Sequence, residues 1–159
     1  MLLLDAGKVI SADRLIEELW GDDRPEDAST ALQQHVSRLR KQLEPYDVLV
    51  TRPPGYAIEL GDAVLDLHRF EELWDVGRRQ LDAGRDDEAA EAFRRALVLG
   101  TGRPLADLEN ERFASDAIAR LDAERLEVLE ARVGADLACG RATDVVRELQ
   151  SLVRAHPLR

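Results

Sequence analysis

From Thr30 to Leu43 the apolar residues Leu32, Val36, Leu39 and Leu43 recur every three or four positions, the spacing that places them on one stripe of a helix. The opposite side carries Gln33, Gln34, Ser37, Arg38 and Lys41. Upstream, Leu15, Ile16, Leu19 and Trp20 mark a shorter helix, with Ser11 as N-cap, Asp13 in its first turn and a stop at Gly21. A turn follows at Asp22 to Pro25. The second helix opens near Asp27 to Ser29 and is ended by Pro45, which gives a helix-turn-helix order. Ahead of both, Leu2 to Asp5 reads as the end of a helix with Gly7 as its cap, and Val9-Ile10 as a short strand. Behind them, Val48 to Thr51 and Tyr56 to Leu60 form strands around Arg52-Pro53-Pro54-Gly55. Two prolines cannot donate ladder hydrogen bonds, so the hairpin tip is expected to project beyond the sheet and to carry Arg52 with it.

Near Gly61-Asp62-Ala63 the pattern changes and becomes helical almost without pause. Leu67, Phe70, Leu73, Trp74, Gly77 and Leu81 line one helix, and Ala89, Phe93, Ala96 and Leu97 a second across Ala83-Gly84. A longer helix is predicted from Glu111 to Leu137, and a last one from Ala142 to Ala155, before Pro157. Setting Gly84 against Gly140 superposes Leu81, Ala89, Phe93, Ala96 and Leu97 on Leu137, Val145, Leu149, Leu152 and Val153. Each copy is helix, Gly-Arg turn, helix, the signature of stacked α-hairpins of tetratricopeptide type, whose concave face usually binds protein. The class is therefore mainly α: a winged helix-turn-helix with a small β-hairpin wing in residues 1–62, followed by tetratricopeptide-like α-hairpins in residues 64–159.

Composition narrows the chemistry. The 159 residues are 45% hydrophobic but only 4% aromatic, which favours helical cores over a β-sandwich. Cys139 is the only cysteine, so no intramolecular disulfide or cysteine-based zinc cluster forms, and a reducing cytoplasm is the natural setting. No run approaches a membrane span. A net charge of −10 repels phosphate as a whole. Arg38, Arg40 and Lys41 nevertheless cluster in a stretch, Ala28 to Gln42, that holds no acidic residue. A local positive stripe thus survives on an acidic body, and the polar side of that helix has the residue types that pair with base edges and phosphates.

No nucleophile motif, phosphate-cradling loop or acid–base pair is apparent. Gly100-Thr101-Gly102 lacks the context of a dinucleotide site and reads as a loop, and His68 and His156 stand without partners of metal-ligand spacing. Trp20, Trp74, Phe70 and Phe93 read as core. The abundant acids, such as Glu88 and Glu91 beside Arg95 or Glu127 near Arg120, read as solvated ion pairs on helix faces. No catalytic residue, cofactor or metal is expected.

The stretch Ser-Ala-Asp-Arg-Leu-Ile-Glu-Glu-Leu-Trp-Gly from Ser11, then Ala-Leu-Gln-Gln-His-Val-Ser-Arg-Leu-Arg-Lys-Gln-Leu ending at Leu43, with Thr51-Arg52-Pro53-Pro54-Gly55-Tyr56, resembles the OmpR-type winged helix of SARP/AfsR transcriptional activators. The second region, opening with Asp66-Leu67-His68-Arg69-Phe70 and closing with Ala155-His156-Pro157-Leu158-Arg159, is similar to their bacterial transcriptional activator domain. The resemblance implies base reading at Gln33, Gln34, Ser37 and Arg38 and phosphate contacts at Thr30, His35 and Arg40. It also implies a minor-groove arginine at Arg52, with the Tyr56 hydroxyl near phosphate; Lys41 joins them from the charge pattern. As partners it implies double-stranded DNA with promoter direct repeats, RNA polymerase holoenzyme, and a second protomer side by side on DNA. Family members begin with a further small sheet and a complete first helix, and they continue beyond the His-Pro-Leu-Arg segment. On that pattern the chain is expected to be truncated at both ends. The alternative from another class is a helical protein–protein adaptor whose winged helix no longer binds DNA.

Overall fold

Strand β1 (Ile10–Ser11) leads directly into α1 (Ala12–Trp20), because Ser11 Oγ accepts the Arg14 backbone N–H and so caps the helix it begins. The computed structural model describes residues 1–100, 102 and 104–155. A 3-10 turn, Gly21–Asp23, follows α1; Asp27 then caps α2 (Ala28–Leu43) through the Thr30 N–H, at 3.0 Å. The hydrogen bonds from Thr30 hold the Asp27 carboxyl below its ordinary pKa. Strands β2 (Leu49–Arg52) and β3 (Gly55–Ile58) form the hairpin, and the antiparallel sheet has the order β1-β3-β2. After these come α3 (Asp66–Asp82), α4 (Asp86–Leu99), α5 (Arg112–Ala138) and α6 (Ala142–Ala155).

The chain divides into two compact units, Met1–Ala63 with Asp107–Ala117, and Val64–Ala106 with Ile118–Arg159. The first is built on Ile10, Leu15, Ile16, Ala28, Leu32, Val36, Leu49 and Ile58, with Trp20, Leu43 and Tyr56 packed against them. Leu39 departs from the expected stripe: it is 43% exposed, so Ala28, Leu32 and Val36 carry the buried side of α2. Met1 to Lys8 also departs from expectation. It makes successive turns, with the Leu4 and Asp5 N–H groups on the Met1 carbonyl, while Gly7 donates to the Ile58 carbonyl.

Two features set the hairpin. Gly55 faces β1 so closely that a Cβ there would lie 1.9 Å from the Ile10 carbonyl oxygen. Only glycine permits that approach. Ser11 pairs with Gly55, and the Ala12 N–H donates to the Pro54 carbonyl at 3.1 Å. The tip is therefore stitched to the start of α1 and does not project beyond the sheet.

In the second unit Phe70, Leu73, Ala89, Ala90, Phe93, Ala96, Val128 and Ala135 form the core, and the Trp74 ring packs at 5.3 Å on that of Phe93. Glycine inside a helix costs about 1 kcal/mol relative to alanine. Gly77 is nonetheless dictated by packing, since a Cβ would come within 2.1 Å of the Phe93 ring. Gly84 and Gly140 both adopt positive φ, +68° and +79°, and end their helices alike. Gly84 and Arg85 donate to the Leu81 and Gln80 carbonyls; Gly140 and Arg141 donate to those of Leu137 and Asp136. The repeat seen in the sequence is thus a repeat of backbone hydrogen bonds, the helix-ending Schellman motif.

Asp136 departs from the expectation of solvated acids. Asp136 is buried, its Oδ1 accepting from Arg94 (2.9 Å) and Arg141 (2.8 Å) and its Oδ2 from Arg132 (3.0 Å). Arg132 also pairs with Glu148 on α6, and Arg141 reaches Asp87 on α4 at 2.6 Å. Burial works against ionisation of Asp136, yet the hydrogen bonds from Arg141, Arg132 and Arg94 outweigh it and hold the carboxyl below its ordinary value. On the surface, helix-face pairs include Glu72 with Arg69, Glu91 with Arg94 and Glu124 with Arg120. His156 and Thr101 lie outside the described residues.

Candidate nucleic-acid interface

At about 100° per residue, Thr30, Gln33, Gln34, Ser37, Arg38 and Lys41 fall within an arc of roughly 140° on α2. Ala28, Leu32, Val36 and Leu43 occupy the other side and face the core. All six arc residues are exposed. The helix presents amides, hydroxyls and two cations to solvent along about three turns, while its buried side fixes its rotation about its own axis.

His35 and Arg40 lie outside this arc, one on each margin. The exposed His35 ring packs 5.8 Å from the Trp20 ring of α1. Arg40 turns toward the hairpin instead: its Nε donates to the Leu49 carbonyl at 2.9 Å and its Nη2 to the Thr51 hydroxyl at 2.8 Å. Tyr56 is half-buried on β3 between Ile10 and Thr51, packed against the core of the unit. Arg52, at the end of β2, is 59% exposed, and its Nη2 meets Glu59 Oε1 at 2.6 Å. The structure therefore brings the six arc residues together, places Tyr56 in the wing, and engages Arg40 and Arg52 within the protein.

Sequence reading missed Thr51 and Glu59. Opposite charges on the two sides of one hairpin turn were the available signal for Arg52 with Glu59. Arg40 gave no comparable signal, because one of its partners is a backbone carbonyl.

The sequence matches the bacterial transcriptional activator domain family over residues 65–159, and the family described as transcriptional regulatory protein, C terminal, over residues 1–58. It is 40% identical to the regulatory protein AfsR of Streptomyces coelicolor over 99% of this chain and 16% of that protein. To the regulatory protein DnrI of Streptomyces peucetius it is 34% identical, over 99% of this chain and 62% of that protein. The solved structure of Mycobacterium tuberculosis EmbR in complex with a low-affinity phosphopeptide superposes with a TM-score of 0.93 at 33% identity, over 100% of this chain and 43% of that one. The chain belongs to the SARP/AfsR family of transcriptional regulators.

As a SARP/AfsR-type chain it spans from 16% to 62% of the length of the curated relatives named above. Its mainly helical architecture, a winged helix followed by helical hairpins, is the one shared with EmbR. Among the described residues no group of three or more His, Cys, Asp or Glu side chains is placed to hold a metal ion. No described helix is long and apolar enough to cross a membrane.

Proposed function

We propose that the chain carries the sequence-specific DNA-reading part of a cytoplasmic transcriptional activator. In this reading α2 enters the major groove, with Gln33, Gln34, Ser37 and Arg38 at base edges and Thr30 and Lys41 at phosphates. His35 reaches a flanking phosphate, Arg52 probes the adjacent minor groove, and the Tyr56 hydroxyl lies near the backbone beside it. Arg38 has the fork that pairs with guanine O6 and N7, and the glutamines can pair with adenine N6 and N7. The α-hairpins recruit RNA polymerase holoenzyme, and two protomers sit side by side on promoter direct repeats.

The observation that carries this reading is the exposed arc on α2. It is free of acid in a chain of net charge −10, and the buried stripe behind it leaves it facing outward. Selection of bound duplexes followed by sequencing tests it, with binding then measured against salt. Arg38→Ala should relax base preference at one position, with a loss of about 1–3 kcal/mol of discrimination, whereas Lys41→Ala should weaken all sequences alike and flatten the salt slope by about one unit. Enrichment of no duplex, together with capture of a protein partner by the helical hairpins, would favour the adaptor instead.

A further inference from the structure

We infer that Arg40 is a positioning residue that latches the hairpin to the recognition helix and so sets where Arg52 meets DNA. The inference rests on the reading of α2 and Arg52 as DNA-contacting. Arg40 lies on the margin of the exposed arc, on the side toward β2, and two of its N–H donors, on Nε and Nη2, are used by the hairpin.

Strand β2 is an edge of the β1-β3-β2 sheet. The Glu59 N–H donates to the Val48 carbonyl, so the alternation of an antiparallel ladder turns the Leu49 carbonyl outward, away from β3. An outward carbonyl on an edge strand needs a donor from elsewhere. Arg40 Nε supplies it. Thr51 is two residues further along, on the same sheet face as Leu49, and its hydroxyl takes the second bond from the same planar guanidinium. Two donors in one rigid plane, one held by a backbone carbonyl and one by a side-chain hydroxyl, fix a direction as well as a distance. The residue after Thr51 is Arg52, so this clamp ends one position short of the group proposed for the minor groove.

A direct phosphate contact and a latch make opposite forecasts. Lysine can replace arginine as a point charge beside phosphate but cannot reproduce the two-bond fork. If Arg40 is a latch, Arg40→Ala and Arg40→Lys should each speed amide exchange of Val50, Arg52 and Ala57 in the DNA-free protein by about tenfold, with the Leu32 and Val36 amides of α2 unchanged. Thr51→Val, which removes one of the two bonds and no charge, should give a smaller rise at the same amides; it also serves if the Arg40 variants fold poorly. On a selected duplex, Arg40→Ala should cost about tenfold in affinity while Arg52 is present and less than about twofold in the Arg52→Ala background. Unchanged exchange in the hairpin would overturn the latch. So would losses that add fully to those of Arg52→Ala, with a salt slope lower by about one unit in both backgrounds and rescue by lysine, since these mark a phosphate contact. If the unmodified chain binds no duplex, the DNA reading fails by itself. The latch is then decided by hairpin exchange, where a rise confined to those amides supports it and none rejects it.

Discussion

Two turns of the helical unit have the same backbone and differently charged surroundings. In the first, between α3 and α4, Arg85 follows Gly84, donates its N–H to the Gln80 carbonyl and sends its Nε to Gln80 Oε1. In the second, between α5 and α6, Arg141 follows Gly140, donates its N–H to the Asp136 carbonyl and sends its Nε to Asp136 Oδ1. The pairs are equivalent position for position. Arg85 and Gln80 meet at the surface, a neutral acceptor with one cation. Asp136 is only 4% exposed and gathers Arg94 and Arg132 as well, tying the turn to α4 and to its own helix. The comparison separates what forms a helical turn from what locks it into a stack: glycine and backbone hydrogen bonds do the first, and a buried carboxylate with arginines from other elements does the second.

Replacing Asp136 should therefore have the largest effect. Asp136→Asn keeps the size of the side chain but removes the charge that Arg132, itself buried, is paired with. Breaking one partner of a buried pair costs about 3 kcal/mol or more. Chemical denaturation should register that loss, while Gln80→Ala, at the equivalent position of the other turn, should change stability by less than about 1 kcal/mol.

Acid should act on the same difference. The folded pKa of Asp136 lies below its ordinary value of 3.8, so its contribution is fully present above that value and is lost as pH falls through the lower folded one. Asp87 behaves alike, held down by its hydrogen bond from Arg141. Melts between pH 7 and pH 5 should thus show no change from these two groups, with stability falling once pH drops below about 4. In Asp136→Asn the acid-induced fall should be smaller. An equal fall in both proteins would remove Asp136 from the account.

Glycine tests the half of the comparison in which the turns are alike. A Cβ at Gly84 or Gly140 meets nothing within 4 Å, so the cost of alanine is the left-handed backbone alone, about 1 kcal/mol at each. Equal losses on denaturation would support a shared backbone device. A clearly larger loss at Gly140 would mean that the arginine cluster depends on the turn's geometry.

The same division governs what could be read from sequence. Local signals were legible: Ser11 as a cap, Gly21 as a stop, Gly84 and Gly140 as turns and the opening of α2 near Asp27, because each acts within a few residues of itself. The exposed arc of α2 was legible for the same reason, since helical period alone assigns it. Leu39 was not, as periodicity counts spacing but not how far the packed elements reach along the stripe. Nor was Asp136, whose partner Arg94 is 42 residues away, or Arg40, whose carbonyl partner turns outward only through the register of a strand not yet paired. Asp136 was read by residue type as a solvated acid, and neither its burial nor the two hydrogen bonds of Arg40 to the hairpin could be foreseen, because both are tertiary.

The smallest expected effect is the most discriminating. Gln80→Asp gives the first turn the carboxylate of the second, opposite the same arginine of the turn. If a carboxylate and the arginine after glycine sufficed, stability should rise by well over 1 kcal/mol. The contact is at the surface, however, where water already solvates both groups and an ion pair contributes about 0.5 kcal/mol or less. Aspartate is also one methylene shorter than glutamine, so Arg85 must bend to keep the bond. A change within about 0.5 kcal/mol of zero, lost in moderate salt, is the outcome consistent with Asp136 acting through Arg94 and Arg132. A salt-resistant gain above that would show that burial and the added arginines matter less than the single pair, and the distinction between turn and lock would have to be given up.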